Sequence, residues 1–137
     1  MWKCYALLSA FFAALTALLG KASVSGINSN LATAVRTSVI LLLTWGIVLA
    51  SGVENQILRI SWRNLLFLIL SGAATGLSWL CYFKALSVGE VSKVAPIDKL
   101  SVVFTIFLAF VFLHEQVGLK TIIGGTLILL GSLTLLL

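Results

Sequence analysis

Charge is what this sequence has least of. Only 9% of its 137 residues are charged, and four of them are acidic, against about 25% charged in an ordinary soluble domain. Hydrophobic residues make up 61% and the mean hydropathy is +1.17. That composition cannot cover a water-facing surface, which excludes a soluble globular domain. Short segments of alternating apolar and polar residues are missing too, which excludes a transmembrane β-barrel. With one histidine and two cysteines, and no Cys-x-x-Cys or Cys/His cluster, no metal site is implied. Cys4 and Cys81 lie in apolar runs, where thiols behave as small inert hydrophobes. No nucleophile–base constellation and no phosphate-cradling loop is present, so no cofactor is implied and an enzyme is the weakest class.

What the chain does have is long apolar runs. Five are read as helices, at about residues 2–19, 31–51, 64–88, 94–113 and 119–137. About twenty residues at about 1.5 Å each match a hydrocarbon core of roughly 30 Å. The expected fold is all-α and integral to the membrane, a five-transmembrane-helix bundle forming a single domain over residues 1–137. The connections are short, so successive helices are antiparallel neighbours, and no extramembrane domain is expected. Lys3 followed by an apolar run resembles a signal peptide, but no small-x-small cleavage site follows a polar break, so the run reads as a retained first span. The net charge of +5 is scattered rather than clustered, so it indicates anchors facing anionic headgroups and not nucleic acid. Arg59, Arg63 and Trp62, in the linker GVENQILRISWR, are residue types that settle at the membrane boundary.

Polar residues recur at helical spacing along these runs. Ser9, Ala13, Thr16, Gly20 and Ser23 form one stripe in the first run. Thr33, Thr37 and Thr44 share a face of the second, with Arg36 beside them. Ser71, Thr75, Ser78 and Tyr82 line the third, flanked by Gly72, Gly76 and Trp79. In the fourth, Ser101 and Thr105 share a face with Asp98. Such stripes line a moderately polar cavity or simply hold helices together. Trp79 and Tyr82 are too large for close packing, which favours a cavity.

Asp98 is the sole acid inside an apolar run. It reads either as a group that binds a proton or a cationic substrate, or as an anion stabilised near a helix N-terminus. Lys99 lies about 100° around the helix from it, off its face, and reads as a side chain that snorkels to the interface. Lys21 and Arg36 flank the first interhelical turn, where they attract anionic substrates, pair with Asp98 or anchor at the interface. Glu115 and Lys120 read as a solvated pair. Pro96, placed in a first helical turn, needs no functional reason.

The stretch WLCYFKALSVGEVSKVAPIDKLSVVFTIFLAFVFLHEQVGLKTIIGGTLILLG resembles the second half of an EamA domain of the drug/metabolite transporter superfamily. The matching features are Tyr82-x-x-Ala-Leu-x-x-Gly89, Ala95-Pro96 opening a helix, Glu115 closing it, and a last helix with Gly124, Gly125 and Gly131. FAALTALLGKASV and the region of Arg36 fit the first half. Most members of that family resemble two such units fused into ten helices; this chain has one, like the five-helix members. The resemblance therefore implies one half of a ten-helix inverted-repeat transporter fold, in a bacterial or archaeal inner membrane. The seven-residue spacing of Gly124 and Gly131 also resembles the dimerising helix of small multidrug transporters, which makes these glycines the dimer-interface candidates.

The expected function is thus a secondary transporter of small metabolites or drug-like solutes, working by alternating access as a homodimer. Asp98, Trp79, Tyr82, Ser78, Thr16, Ser101, Thr105, Lys21 and Arg36 are the substrate- or ion-binding candidates. Trp79 and Tyr82 offer walls for organic solutes, including cations by cation–π attraction. An antiparallel dimer fits an odd number of spans and an even spread of basic residues: Lys3, Arg59, Arg63 and Lys120 on one side, Lys21, Arg36, Lys84 and Lys93 with Lys99 on the other. The competing reading is a non-transporting accessory or assembly subunit, or a lipid-linked sugar flippase subunit.

Overall fold

The computed structural model describes residues 1–135. The described residues form α1 (Trp2–Ser23), α2 (Ser29–Ala50), a short 3₁₀ helix (Glu54–Arg59), α3 (Trp62–Val88), α4 (Val91–Asp98), α5 (Leu100–Leu113) and α6 (Leu119–Thr134), with no strand among them. Four stretches are long and apolar enough to cross a bilayer: α1, α2, α3 and the combined stretch Val91–Leu113; α6 is a shorter apolar helix. The chain is accordingly an all-helical membrane bundle, as its composition dictates. The expected end of the last helix, at residue 137, lies outside the described residues.

The turns follow from local chemistry. Asn28 caps α2, its side-chain oxygen accepting the backbone N–H of Asn30 at 2.9 Å, after Gly26 has turned the chain at φ +80°. Gly52, at φ +65°, ends α2. Its N–H donates to the Leu49 carbonyl at 3.2 Å, and the Val53 N–H donates to that of Val48 at 3.4 Å. This is a Schellman closure, and it favours glycine because a side chain resists the left-handed conformation. At the end of α5 a non-glycine residue, His114, takes up that conformation at φ 52°.

The fourth apolar run departs from expectation. Instead of one helix over 94–113, α4 ends at Asp98, Lys99 forms a turn, and α5 starts at Leu100. Pro96 lies inside α4 rather than in a first turn. It has no N–H to offer the carbonyl four residues back, and its ring crowds that carbonyl. Within a turn of it the helix breaks.

Contacts divide the chain into two compact units, residues 20–87 and residues 1–19 with 88–137. In the first, Phe83 and Leu86 of α3 are fully buried. Gly20 lies against them: a Cβ there would stand 3.2 Å from Phe83 Cζ. In the second, α5 packs on α6, and α4 touches both. Gly125 and Ser132 of α6 are buried. A Cβ on Gly125 would meet Ile106 Cδ1 at 3.0 Å, and the Ser132 hydroxyl donates to the Pro96 carbonyl at 3.0 Å. That bond ties α6 to the broken helix, giving a carbonyl near the break a donor inside the apolar unit. Large side chains such as Leu42, Phe104 and Leu127 are exposed, the pattern expected where lipid tails rather than water cover the surface.

Candidate functional site

Arg36 is seven residues into α2, which begins at Ser29, or about 10 Å along the helix at about 1.5 Å per residue. An ionised side chain in a membrane span is costly, about 2.5–3.5 kcal/mol at mid-span on insertion scales. Here the guanidinium lies over two aromatic rings of α3, its central carbon 4.1 Å from the centroid of Trp79 and 5.0 Å from that of Phe83. Residues 79 and 83 are four apart, on one face of α3, so one flat cation spans both. A cation–π contact recovers about 0.5–2 kcal/mol, rising with desolvation. Tyr82, edge-on to Phe83 with ring centroids 6.2 Å apart, lies near enough to act electrostatically on Arg36.

The guanidinium carries five N–H donors in one rigid plane, and a contact through its central carbon does not use them. One of these nitrogens, Nη1, is buried and has no hydrogen-bond partner among the described residues. The result is a charged donor, held over aromatic rings, with at least one nitrogen unsatisfied.

Lys21 has a different job. Its Nζ donates to the Leu86 carbonyl at 2.7 Å, in the last turn of α3, where carbonyls lack intrahelical partners and the helix dipole favours a cation. Lys21 is a C-terminal cap for α3.

Asp98 lies in the other unit. Its Oδ2 is 3.7 Å from Lys99 Nζ, with the two side chains 40% and 54% exposed. The expectation that these neighbours stand on different faces is therefore corrected. It assumed a continuous helix, whereas the break at Lys99 lets both side chains swing together. Such an exposed pair contributes only about 0–1 kcal/mol. Asp98 also terminates one helix rather than beginning one, so stabilisation by the N-terminus of its own helix does not apply. Glu90 pairs with Lys93 at 3.5 Å; no ion pair joins Glu115 to Lys120 among the described residues.

Of the nine solute-site candidates, Arg36, Trp79 and Tyr82 come together. Ser78 is exposed on α3, and Lys21 is engaged in capping. Thr16, Asp98, Ser101 and Thr105 belong to the other unit, Thr16 half-buried and the rest exposed. The threonines of the stripes satisfy themselves: Thr37 donates to the Thr33 carbonyl at 2.8 Å, Thr75 to Ser71 at 2.9 Å and Thr105 to Ser101 at 2.8 Å. Neither a cavity nor a neighbouring helix is required to hold them. On α6, Gly124 and Gly131 have nothing within 4 Å of an added Cβ, so this face is open while the adjacent Gly125–Ser132 face is packed. An apolar groove of about 390 Å³ lies between α5 and α6, lined by Ile106, Phe110, Ile122 and Gly125 among others. It contains none of the candidate residues.

Phe83, the second ring under Arg36, was not among the candidates. Its signal in the sequence was the four-residue spacing from Trp79, which puts both rings on one face. The placing of Arg36 upon them had no such signal.

The chain matches the EamA-like transporter family over residues 1–137. It is 48% identical over 134 residues to a Sinorhizobium sp. protein described as an uncharacterized transporter in the cobO 3' region, a match that covers 98% of this chain and 95% of that protein. No solved structure matches.

Proposed function

The chain belongs to the EamA-like transporter family and is a multi-pass membrane protein; from that premise we propose that it is a secondary transporter, moving small metabolites or drug-like solutes by alternating access across a bacterial or archaeal inner membrane. The observation that carries this reading is the Arg36–Trp79–Phe83 stack, a cation kept within a membrane span on rings that shield it. Ionisable groups at that depth mark solute or ion pathways more often than they serve structure alone. Tyr82 adds an amphipathic wall beside the stack. Asp98, at a break in an otherwise transmembrane stretch, is the coupling group, since discontinuous helices place ionisable side chains where solute and water reach them. Ser78, on the same helix as Trp79, supplies a further hydroxyl there; Thr16, Ser101 and Thr105 supply hydroxyls within the unit that holds Asp98. The chain carries out no covalent chemistry.

One five-helix unit is half of the usual family fold, so the working form is a homodimer. Its two copies insert in opposite orientations and meet on the open Gly124/Gly131 face. The competing reading, an accessory or flippase subunit, differs in needing another gene product to move anything.

A thermal-shift screen of the purified protein against metabolites and cationic drugs at two pH values identifies ligands; uptake of the ligands into proteoliposomes containing this chain alone tests the proposal. Saturable uptake is expected. Ligands that bind but never cross, or cross only when a second protein is added, overturn it.

A further inference from the structure

We propose that the Arg36 stack is the receptor for the oxyanion group of an organic anion, a carboxylate or a phosphate monoester, and that the protein selects against organic cations. The inference rests on the transporter reading only in taking this stack to face solute.

The first ground is that the cation-binding surface is already taken. An aromatic wall attracts a cation through its ring face. The face of Trp79 is occupied by the Arg36 guanidinium carbon at 4.1 Å, and Phe83 receives the same group at 5.0 Å. A solute cation approaching these rings meets a positive charge instead of a bare π face. This reverses what Trp79 and Tyr82 suggest from sequence alone.

The second ground is that Arg36 lacks an anion of its own. Nη1 is buried with no hydrogen-bond partner among the described residues. The single acid in residues 20–87 is Glu54. It follows the far end of α2, fourteen residues of helix beyond Arg36, about 20 Å away at about 1.5 Å per residue. The other charges of this unit are Lys21, Arg59, Arg63 and Lys84, all positive. A half-buried guanidinium with an unpartnered nitrogen is matched by a planar or tetrahedral oxyanion, which accepts two parallel hydrogen bonds. The rings hold the fork in place in advance.

The third ground is the position of the acids elsewhere. Asp98, the candidate for a cationic solute, is exposed and already 3.7 Å from Lys99, and Glu90 is paired with Lys93.

The test is binding to the full chain purified in detergent, followed by thermal shift and tryptophan fluorescence. The probes are benzoate, phenyl phosphate and tetraphenylphosphonium. Benzoate or phenyl phosphate is expected to bind, and the preference between them identifies the oxyanion. Arg36→Gln should weaken that binding by at least about tenfold, the loss of a charge-assisted hydrogen bond. Arg36→Lys, which keeps the charge but cannot form the flat fork, should recover part of it and guards against a folding defect in the glutamine variant. Failure of both anions to bind, anion binding equal in wild type and Arg36→Gln, or tetraphenylphosphonium binding abolished by Trp79→Leu overturns the proposal. Counterflow in proteoliposomes separates the two readings. Benzoate that binds at Arg36 but does not cross refutes transport and leaves the anion site standing; a cation that crosses while anions do not refutes the anion site and leaves transport standing.

Discussion

Arg36 of α2 covers the ring of Trp79 of α3 at 4.1 Å, so one side chain is both a half-buried charge and a bridge between two membrane helices. Removing the ring leaves the cation only the more distant Phe83 ring, at 5.0 Å. Trp79→Leu is expected to destabilise the purified protein by about 1–2 kcal/mol, measured as a lower midpoint in a thermal size-exclusion assay. Trp79→Phe, which keeps a smaller π face, should fall in between. A leucine variant as stable as wild type would mean that the stack contributes nothing to the fold.

Lys21 closes α3 through the Leu86 carbonyl at 2.7 Å. Lys21→Met keeps the aliphatic stem and removes the ammonium, and should cost about 1 kcal/mol of stability. Solute affinity should be unchanged, because capping and solute recognition are assigned to different cations. A large loss of affinity at wild-type stability would move Lys21 into the site.

The two levels of description were unequally legible in the sequence. Length and hydropathy show where helices cross because a bilayer demands long apolar runs. The break after Asp98 is hidden because Asp98 and Lys99 are too short a polar interruption to divide the apolar run over 94–113, and Pro96 looks like an N-terminal residue although it lies deep in a short helix. At the site, Trp79 and Tyr82 were visible as aromatics too large for close packing. Arg36 was visible only as a charge near a helix start, a pattern shared by anchors at the interface. Which way a long, flexible side chain folds depends on a ring from another helix, and helical periodicity carries no information about that. Periodicity also does not divide the hydroxyl stripes by role, since threonine bonded to its own helix looks the same in sequence as threonine lining a cavity.

The open face of α6 offers a clean test of assembly. Nothing lies within 4 Å of an added Cβ at Gly131, so Gly131→Leu should leave the monomer folded. If two copies meet there, the same change should abolish the dimer seen by cross-linking in membranes, because close helix approach depends on small residues. A cross-linked dimer that persists in Gly131→Leu places the interface elsewhere. Reporter fusions at Leu137 that show a single orientation remove the antiparallel version.

Asp98→Asn separates coupling from solute movement. As the coupling group, its loss should abolish accumulation against a gradient while passive exchange continues in proteoliposomes. Uptake and pH dependence that both match wild type would leave Asp98 as no more than the exposed partner of Lys99.

The proposed path of solute runs by way of the Arg36 stack. Its most direct measurement is counterflow into proteoliposomes containing this chain alone, comparing wild type, Arg36→Lys and Arg36→Gln with the solute that best stabilises the wild type. Saturable counterflow is expected in wild type, with a partial rate in Arg36→Lys and a rate at least about tenfold lower in Arg36→Gln. Equal rates in wild type and Arg36→Gln would contradict it.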